Sequence, residues 1–332
     1  MRLGLLVAGG RTAREATDIA RRAEDSGFAD VWVAEDYFER GAFTVAAAVA
    51  LATHSCRIGI GVVNPWTRHP MLTAMEFAAL HELSAGRAVL GLSTGNRVWM
   101  QDRCGIDVSN PLTAVDEAVA VIRTALRGGQ VHTSGQHFRV DARLSEMDPI
   151  PDASVYIGAK GPRALERAGV IGDGVLLSLL SSTAYIAWAR ERCGTQIDCA
   201  AYVLVACSQD RDAARHSIRR LLATFLGVHG NHDIVRVAGL DADRAQRFRA
   251  GWLAGTPTED LIDDELIDTF ALAGTISDCR AGLDRYAAAG LDCAILRDPG
   301  SADLDGILAL ANDYRHAFPA PLHGAERTSD LR

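Results

Sequence analysis

Short apolar runs alternate with longer amphipathic stretches along most of the chain. In AEDSGFADVWVAED, RAGVIGDGVLLSL and YAAAGLDCAILRD, a helix end is followed by a glycine, an aspartate and an apolar run. Glycine suits the left-handed position after a helix, and a continuous apolar run of about four to six residues fits a strand buried on both faces. The pattern therefore predicts repeated strand–helix units with a parallel sheet.

Eight strands are predicted in this way, at residues 3–7, 30–35, 57–62, 87–92, 155–158, 173–177, 201–207 and 292–296. Helical patterns separate most of them, and the first begins with the capping-box spacing Thr12-Ala-Arg-Glu15. Eight such units in 332 residues favour an α/β fold of the (β/α)8 TIM-barrel type. The alternative is a doubly wound sheet, but VAGGRTARE after the first strand is only a weak imitation of the G-x-G-x-x-G motif.

Two connections are longer than ordinary loops. Residues 100–150, after strand four, contain a helical stretch and the hairpin pattern GQVHTSGQHFRV, and residues 208–291, after strand seven, are mostly helical. Insertions of this length at the carboxyl ends of barrel strands usually build or cover the site. No Gly/Ser-rich or Pro-rich linker divides the chain, so we predict a single domain over residues 1–321 and a loose polar tail over 322–332.

Composition limits the kinds of partner. The chain is 48% hydrophobic and has a formal net charge of -8, which argues against nucleic acid or an anionic membrane as the main partner. The longest apolar stretch, GAFTVAAAVALAT, is well short of the ~20 residues that a membrane-spanning helix needs. Seven cysteines without a C-x-x-C pair fit reduced thiols. These features predict a cytoplasmic protein that acts on a small molecule.

The segments that follow the predicted strands contain few strong acids or bases. AED at 34–36, GVVNPWTRHP at 61–70 and GLSTGNR at 91–97 are rich in small and amide side chains. Such a lining suits a cofactor that brings its own reactivity. In GAKGPR at 158–163, small residues before a helix start would let backbone amides approach a phosphate, with Lys160 as an added cation. The alternative is a tight turn with a surface lysine.

Several of these segments resemble a known family. GIGVVNPWTRHPMLTAMEFAALHELSAGRAVLGLSTGN is similar to the third and fourth units of the bacterial luciferase-like superfamily, especially its coenzyme F420-dependent methylenetetrahydromethanopterin reductase-like branch. GFADVWVAEDYFER, YIGAKGPRALERAGVIGDGVLL and AGTISDCRAGLDRYAAAGLDCAIL match further blocks of the superfamily. The resemblance implies an F420-dependent oxidoreductase that moves a hydride to or from a small organic substrate. A reduced-FMN-dependent monooxygenase of the luciferase type is the close alternative.

The resemblance also implies roles for individual residues. In this superfamily the third strand ends in a bulge with a non-prolyl cis peptide that backs the cofactor ring, and Gly61-Val62 is the matching step, with Val62-Val63 as the neighbouring candidate. Ser178 and Arg297, at the ends of strands six and eight, could reach the substrate or the cofactor tail. The predicted cofactor-binding residues are Asp36, Gly61, Val62, Asn64, Thr94, Gly95, Gly158, Ala159 and Lys160.

The chain departs from the family pattern at the expected acid–base positions. Tyr37 stands where the sugar-phosphate dehydrogenases of the superfamily have a histidine, and Asn96 stands where they have a glutamate. The methylene-pterin reductases carry a glutamate near the end of strand one, where this chain is apolar. Reduction of an activated C=C or C=N bond requires less acid–base chemistry, so we predict Tyr37 as the proton donor and Asn96 as the group that polarises the substrate.

Other interpretations remain open at this point. A cofactor-binding protein without turnover would explain the missing acids, and a barrel isomerase or lyase could use residues 158–161 for a phosphorylated substrate. His229 and His232, with Asp233, could suggest a metal site, but their spacing is loose and no third cluster accompanies them, so a lid loop is predicted instead. The sequence does not fix the oligomeric state, although members of the superfamily often form homodimers.

Overall fold

The computed structural model describes residues 1–300 and 304–317. Within them the strands are β1 Arg2–Val7, β2 Asp30–Val33, β3 Arg57–Val63, β4 Ala88–Ser93, β5 Val131–Ser134, β6 Arg139–Ala142, β7 Ser154–Ala159, β8 Gly174–Leu177, β9 Asp198–Cys207, β10 Ala271–Gly274 and β11 Cys293–Arg297. The α-helices are α1 Ala13–Asp25, α2 Ala42–Ala52, α3 Pro70–Leu83, α4 Pro111–Leu126, α5 Pro162–Ile171, α6 Thr183–Cys193, α7 Arg211–His229, α8 Asp233–Arg236, α9 Ala242–Leu253, α10 Asp264–Phe270, α11 Ile276–Ala288 and α12 Leu304–Ala317. The predicted polar tail at 322–332 lies outside the described residues.

Eight parallel strands close into a barrel in the order β1-β2-β3-β4-β7-β8-β9-β11, and β11 pairs back onto β1. Each of the eight predicted strands overlaps one of these, so the predicted TIM barrel is confirmed. The capping box at the start of α1 is present, with the Thr12 and Glu15 side chains each bonded to the other's backbone N–H. Among the described helices, none has both the length and the apolar character needed to cross a bilayer.

Large rings packed against glycines fill the barrel interior. Trp32 in β2 and Tyr156 in β7 are buried, and their ring centroids lie 5.7 Å apart. A Cβ atom on Gly59 would lie 2.3 Å from the Trp32 ring, and one on Gly174 would lie 2.7 Å from the Tyr156 ring. Glycine at these two positions therefore makes room for the rings, and the barrel centre is a packed core.

An ion-pair network closes the amino-terminal end of the barrel. Asp30, only 1% exposed, accepts two hydrogen bonds of 2.7 Å from the Arg57 guanidinium. The Asp198 carboxylate accepts hydrogen bonds from Arg2 and from the Tyr156 hydroxyl. Burial alone would raise the pKa of Asp198, but the Tyr156 hydrogen bond and the charges of Arg2 and Arg57 outweigh it and lower that pKa. The network satisfies carboxylates that the barrel buries.

The first insertion is close to its prediction. β5 and β6 form the expected antiparallel hairpin after α4. Glu117 in α4 accepts hydrogen bonds from the backbone amides of Gln136, His137 and Phe138 at 2.7, 2.9 and 3.0 Å. The His137 ring meets the Trp66 ring edge-on at 5.5 Å between centroids. The hairpin is therefore fixed to α4 and packs on the segment that follows β3.

The second insertion adds a strand that the sequence did not indicate. β10 pairs in parallel with the end of β9, from Ala271 opposite Leu204 to Gly274 opposite Cys207. It follows α10 without a turn, and its ALAG sequence lacks the β-branched and aromatic residues that favour strands. The pattern over 208–291 therefore predicted mostly helix and no strand at this position. Helix α7 of this insertion reaches the carboxyl end of the barrel, where the Phe225 ring lies 5.0 Å from the Arg297 guanidinium.

Candidate active site

The carboxyl ends of the barrel strands surround a floor that is only partly covered. Leu6 from β1, Val62 from β3 and Tyr202 from β9 form the top of the interior cluster and remain partly accessible. The predicted site residues follow the ends of β2, β3, β4 and β7 around this floor. Since active sites of this fold lie at the carboxyl end of the barrel, this mouth is the candidate active site.

The end of β3 has the predicted bulge. The pairing of β3 with β4 shifts between Ile60 and Val63, and the Gly61–Val62 peptide is cis, so the Gly61-Val62 step is confirmed over its neighbour. The Tyr202 hydroxyl donates to the Gly61 carbonyl at 3.0 Å. A Cβ atom on Gly61 would lie 1.9 Å from that hydroxyl oxygen, so this position requires glycine.

Asn64 ties the segment after β3 to the segment after β2. It is 1% exposed, and its side-chain oxygen accepts from the backbone amides of Trp66 at 2.9 Å and Thr67 at 3.2 Å. Its amide nitrogen donates to the Tyr37 hydroxyl. The hydroxyls of Tyr37 and Thr67 lie 3.2 Å apart. Asn64 is thus a buried residue that holds the segments after β2 and β3 together. It supports the wall of the predicted cofactor position and does not line it directly.

Removing this amide should loosen the mouth. We expect Asn64→Ala to lower the free energy of unfolding by about 1 to 2 kcal/mol, because it removes a buried side chain that accepts from two partly buried backbone amides. Urea unfolding followed by circular dichroism measures this change. Thr67→Val is the matched control, since Thr67 is exposed and should cost less than about 0.5 kcal/mol. Equal effects of the two substitutions would contradict the role given to Asn64.

Thr94 and Gly95 lie directly after β4, as predicted, and pack on the segment after β3. The Trp66 indole donates to the Thr94 carbonyl at 2.8 Å. Gly95 has φ +72, and a Cβ atom there would lie 3.2 Å from the Asn64 side chain. A left-handed backbone and a close neighbour both favour glycine at this position. The ends of β3 and β4 therefore form one wall of the mouth.

Asn96 has a different contact from the one predicted. Its side-chain oxygen accepts from the backbone amides of Val98 at 3.0 Å and Trp99 at 3.3 Å, at the start of the helical turn Trp99–Arg103. The carbonyl oxygen therefore caps this turn. The amide nitrogen is the part of this exposed side chain that could face a ligand.

Tyr37 faces the same wall from the β2 side. Its ring lies 5.8 Å from the Trp99 ring, edge-on, and burial raises the pKa of its hydroxyl. The phenol is therefore protonated at neutral pH and can donate a hydrogen bond. The Tyr37–Phe38 peptide is also cis, which the sequence did not indicate.

The segment after β7 packs closely on the bulge. A Cβ atom on Gly158 would lie 2.9 Å from Ser93 and 3.4 Å from the Val62 side chain. Ala159 is buried at the end of the strand, and α5 begins at Pro162 as predicted. The N-cap, Gly161, has no side-chain hydrogen bond to the first turn of α5. The amides at this helix start are therefore not capped by that residue and are suited to an anion.

The remaining predicted residues surround the opposite side of the mouth. The Lys160 carbonyl accepts a 2.6 Å hydrogen bond from the Tyr185 hydroxyl, and burial lowers the pKa of the Lys160 ammonium. Asp36 and Arg297 both lie close enough to Tyr202 to affect its pKa, which burial raises. The structure thus brings the β2, β7, β9 and β11 ends together around one opening.

Ser178 directly follows β8, and the structure gives its backbone, not its side chain, a hydrogen bond. Its carbonyl accepts a 2.7 Å hydrogen bond from the Ser181 hydroxyl, in the segment that leads to α6. The predicted alternative role for this residue at a substrate or cofactor tail therefore has no direct support from its contacts.

One site residue, Tyr202, was not found by sequence reasoning. Tyr202 lies inside the apolar run of β9, where nothing in the sequence shows which face points into the barrel. Glu35, in the AED segment after β2, is a candidate acid for the barrel isomerase or lyase alternative. Its carboxylate accepts from the Ala42 amide at 2.7 Å and from Arg68 at 3.1 Å, so it is engaged in structure. This disfavours the isomerase interpretation, which needs an available carboxylate.

The histidine pair of the second insertion lies near Lys160 rather than near other metal ligands. His229 and His232 have ring centroids 6.4 Å apart, and both are electrostatically coupled to Lys160. Across residues 1–300 and 304–317, no group of three His, Cys, Asp or Glu side chains could hold a metal ion.

Comparison with known proteins identifies the family of this chain. The family model described as luciferase-like monooxygenase matches residues 1–293. The 5,10-methylenetetrahydromethanopterin reductase of Methanolobus tindarius is 32% identical, over 84% of this chain and 89% of that protein. The protein of the same name from Archaeoglobus fulgidus is also 32% identical, over 85% of this chain and 88% of that protein.

A solved structure of a reductase has the same fold as this chain. The coenzyme F420-dependent tetrahydromethanopterin reductase from Methanopyrus kandleri superposes with a TM-score of 0.85 at 25% identity, covering 94% of this chain and 97% of that chain. The resemblance carried by the sequence motifs is confirmed by these matches. The chain therefore belongs to the luciferase-like monooxygenase family.

Proposed function

We propose that this protein is a coenzyme F420-dependent oxidoreductase that transfers a hydride to or from a small organic substrate. Reduction of an activated C=C or C=N bond is the favoured direction. The observation that carries the proposal is the bulge between Ile60 and Val63 at the end of β3, which lies at the partly accessible floor formed by Leu6, Val62 and Tyr202. A partly open apolar floor at the carboxyl end of the barrel suits the face of a flat ring. The name of the Methanopyrus kandleri structure, a coenzyme F420-dependent reductase, supports coenzyme F420 as the source of that ring.

Two parts of the mouth would bind two parts of the cofactor: the ends of β2, β3 and β4 would hold its ring, and the end of β7 would hold its phosphate. Gly61 and Val62 would back the ring, and Thr94 and Gly95 would border it. Asp36 would face the ring from β2, with Asn64 supporting the wall. Gly158, Ala159 and Lys160, with the start of α5, would hold the phosphate. Coenzyme F420, when bound, supplies a ring carbon that carries the hydride.

Tyr37 is the proposed proton donor. Its oxygen accepts a hydrogen bond from the Asn64 amide, which leaves the phenolic hydrogen to point towards Thr67 or a substrate. Burial keeps it protonated at neutral pH. We place the Asn96 amide nitrogen as the donor that polarises the substrate, since its oxygen is occupied by the helical turn. The hairpin β5–β6, packed on Trp66, helps to exclude water from this side.

The cofactor that the protein binds distinguishes the proposed F420-dependent oxidoreductase from the second candidate function. A luciferase-type monooxygenase with reduced FMN is the second candidate, because the matching family model is described by that activity. We expect the purified protein to quench or shift F420 fluorescence at micromolar concentrations and to bind FMN at least about tenfold more weakly. A screen of imines and enones, followed at 420 nm under anaerobic conditions, then tests turnover. Tight binding of FMN with oxygen consumption, and no response to F420, would contradict the proposal.

A further inference from the structure

The rim of the candidate mouth carries an exposed aromatic ring. Phe38 lies in the segment after β2, and its side chain is 61% exposed. Within the residues that the structure describes, every other phenylalanine, tryptophan and tyrosine is buried or half-buried. A single exposed apolar side chain needs no explanation by itself, so the neighbours of Phe38 decide what it can do.

Phe38 belongs to a group of three rings. The Tyr37 ring meets the Phe38 ring edge-on at 6.3 Å between centroids, and it meets the Trp99 ring edge-on at 5.8 Å. Edge-to-face contacts at such distances are a preferred arrangement of aromatic side chains. Trp99 lies after β4, and its neighbour Val98 is 57% exposed. The group therefore joins the ends of β2 and β4 and presents apolar surface to solvent.

Hydrogen bonds hold this group in place from both strand ends. The Tyr37 hydroxyl accepts from the Asn64 amide, and the Asn96 side-chain oxygen accepts from the Trp99 backbone amide at 3.3 Å. Tyr37 and Asn96 are also the residues to which the proposed function assigns proton donation and polarisation of the substrate. The aromatic surface is thus held in position beside both of these polar groups.

The surroundings of the rings favour a small neutral ligand over a macromolecule. The two residues after Phe38 and the two before Val98 are polar and exposed, so the apolar patch is small. A stable protein–protein interface needs roughly 800 Å² on each partner, which a few rings do not supply. Arg40 donates to a backbone carbonyl at 3.0 Å, and Arg97 donates to the Gln101 side chain at 2.7 Å. Both guanidinium groups therefore have acceptors within the chain, and the patch suits one uncharged ring of a ligand.

We propose that Phe38 and Trp99 form an aryl-binding subsite, which takes an aromatic ring attached to the activated C=C or C=N bond of the substrate. The inference rests on the proposed function, because it names the substrate class for the same mouth. An aryl group gains edge-to-face or offset contacts with the two rings and removes their apolar surface from water. The activated bond then lies towards Tyr37 and Asn96, the polar groups beside the rings.

Two ketones that differ by one substituent test the subsite. Benzylacetone carries a phenyl group where methyl propyl ketone carries a methyl group, and neither has an activated C=C bond, so binding is measured without reduction. In ligand-observed NMR titrations of the wild type, we expect benzylacetone to bind at least about tenfold more tightly. Phe38→Ser should weaken benzylacetone binding about fivefold, and Trp99→Leu about threefold. The affinity for methyl propyl ketone should stay within about twofold of the wild type in both variants.

Two exposed apolar residues outside the mouth provide matched controls. Leu51 in α2 and Val170 in α5 are 68% and 73% exposed, so Leu51→Ser and Val170→Ser should leave the affinity for benzylacetone unchanged. Phe38→Ser should unfold at the same temperature as the wild type, because it replaces an exposed side chain. Equal binding of the two ketones by the wild type would overturn the inference. So would an equal weakening of both ketones by Phe38→Ser.

Repeating the titration with oxidised F420 bound locates the phenyl group. A retained preference for benzylacetone supports a subsite beside the cofactor ring, whereas a lost preference would place the phenyl group on the floor and overturn the assignment. A benzylacetone affinity that falls as the protein concentration rises would show that the patch is an interface between copies of the chain, and would also overturn it. The cofactor-free titrations do not depend on F420, so they remain decisive if the proposed function fails.

Discussion

Replacing Arg57 with methionine is expected to lower the free energy of unfolding by about 3 to 5 kcal/mol. The substitution leaves Asp30, which is 1% exposed, without the guanidinium that binds both of its oxygens at 2.7 Å. Asp30 would keep only the Arg2 guanidinium at 3.7 Å and the Cys293 thiol at 3.0 Å. A carboxylate at this depth that loses its bidentate partner costs more than the pair contributes by itself. Urea unfolding at pH 7 gives the free-energy difference directly.

Two further variants define the cause of this effect. Arg21→Met breaks an exposed pair with Asp18, whose side chains are 57% and 69% exposed, and should cost less than about 1 kcal/mol. Adding Asp30→Asn to Arg57→Met removes the carboxylate charge that has lost its guanidinium. The double variant should therefore recover part of the lost free energy of unfolding. A cost as small as that of Arg21→Met would show that the network does not carry the stability assigned to it.

Gly61→Ala is expected to weaken F420 binding by roughly 30-fold, which corresponds to about 2 kcal/mol. The new Cβ atom would lie 1.9 Å from the Tyr202 hydroxyl oxygen, so the bulge or the tyrosine must move away from the position proposed to back the ring. Fluorescence titration measures the affinity, and parallel urea unfolding reports any loss of stability. Gly41→Ala is the control, because no atom lies within 4 Å of its added Cβ and its φ is -61.

A second substitution should rescue the first. Tyr202→Phe removes the clashing oxygen, and the nearest remaining atoms to the added Cβ are in the Trp32 ring at 3.0 Å and at the Tyr202 Cζ at 3.2 Å. We expect the double variant to bind F420 within about fivefold of the wild type. Binding by Gly61→Ala that equals the wild type would contradict the role of the bulge. A double variant no better than Gly61→Ala would show that the clash is not the cause.

The barrel could be predicted because its strands are buried on both faces. Continuous apolar runs marked all eight barrel strands, three of them after a helix end and a glycine, and the ends differ from the structure by a few residues at most. β10 could not be found in this way, because ALAG follows a helix directly and contains no strand-forming residue. Its position depends on pairing with β9, which is a tertiary contact.

The site was predictable where it consists of backbone and small residues. The glycines of the bulge and of GAKGPR stand at strand ends in the sequence, so they could be singled out without a structure. The close packing beside Gly61 and Gly158 explains why glycine is needed there. Tyr202 was missed because the face of a strand buried on both sides cannot be read from its pattern. The approach of His229 to Lys160 joins the second insertion to β7, and no local signal could show it. The capping role of Asn96 depends on the helical turn that follows it.

Hydrogen–deuterium exchange with and without F420 tests the central claim most directly, namely that the mouth above the bulge holds the cofactor. With saturating F420, we predict slower amide exchange in residues 61–67, 94–99 and 158–164, which surround the mouth. The amides at the opposite end of the barrel, near Asp30 and Arg57, should exchange as before. Saturating binding without protection of these three segments, or protection confined to other parts of the chain, would contradict the account.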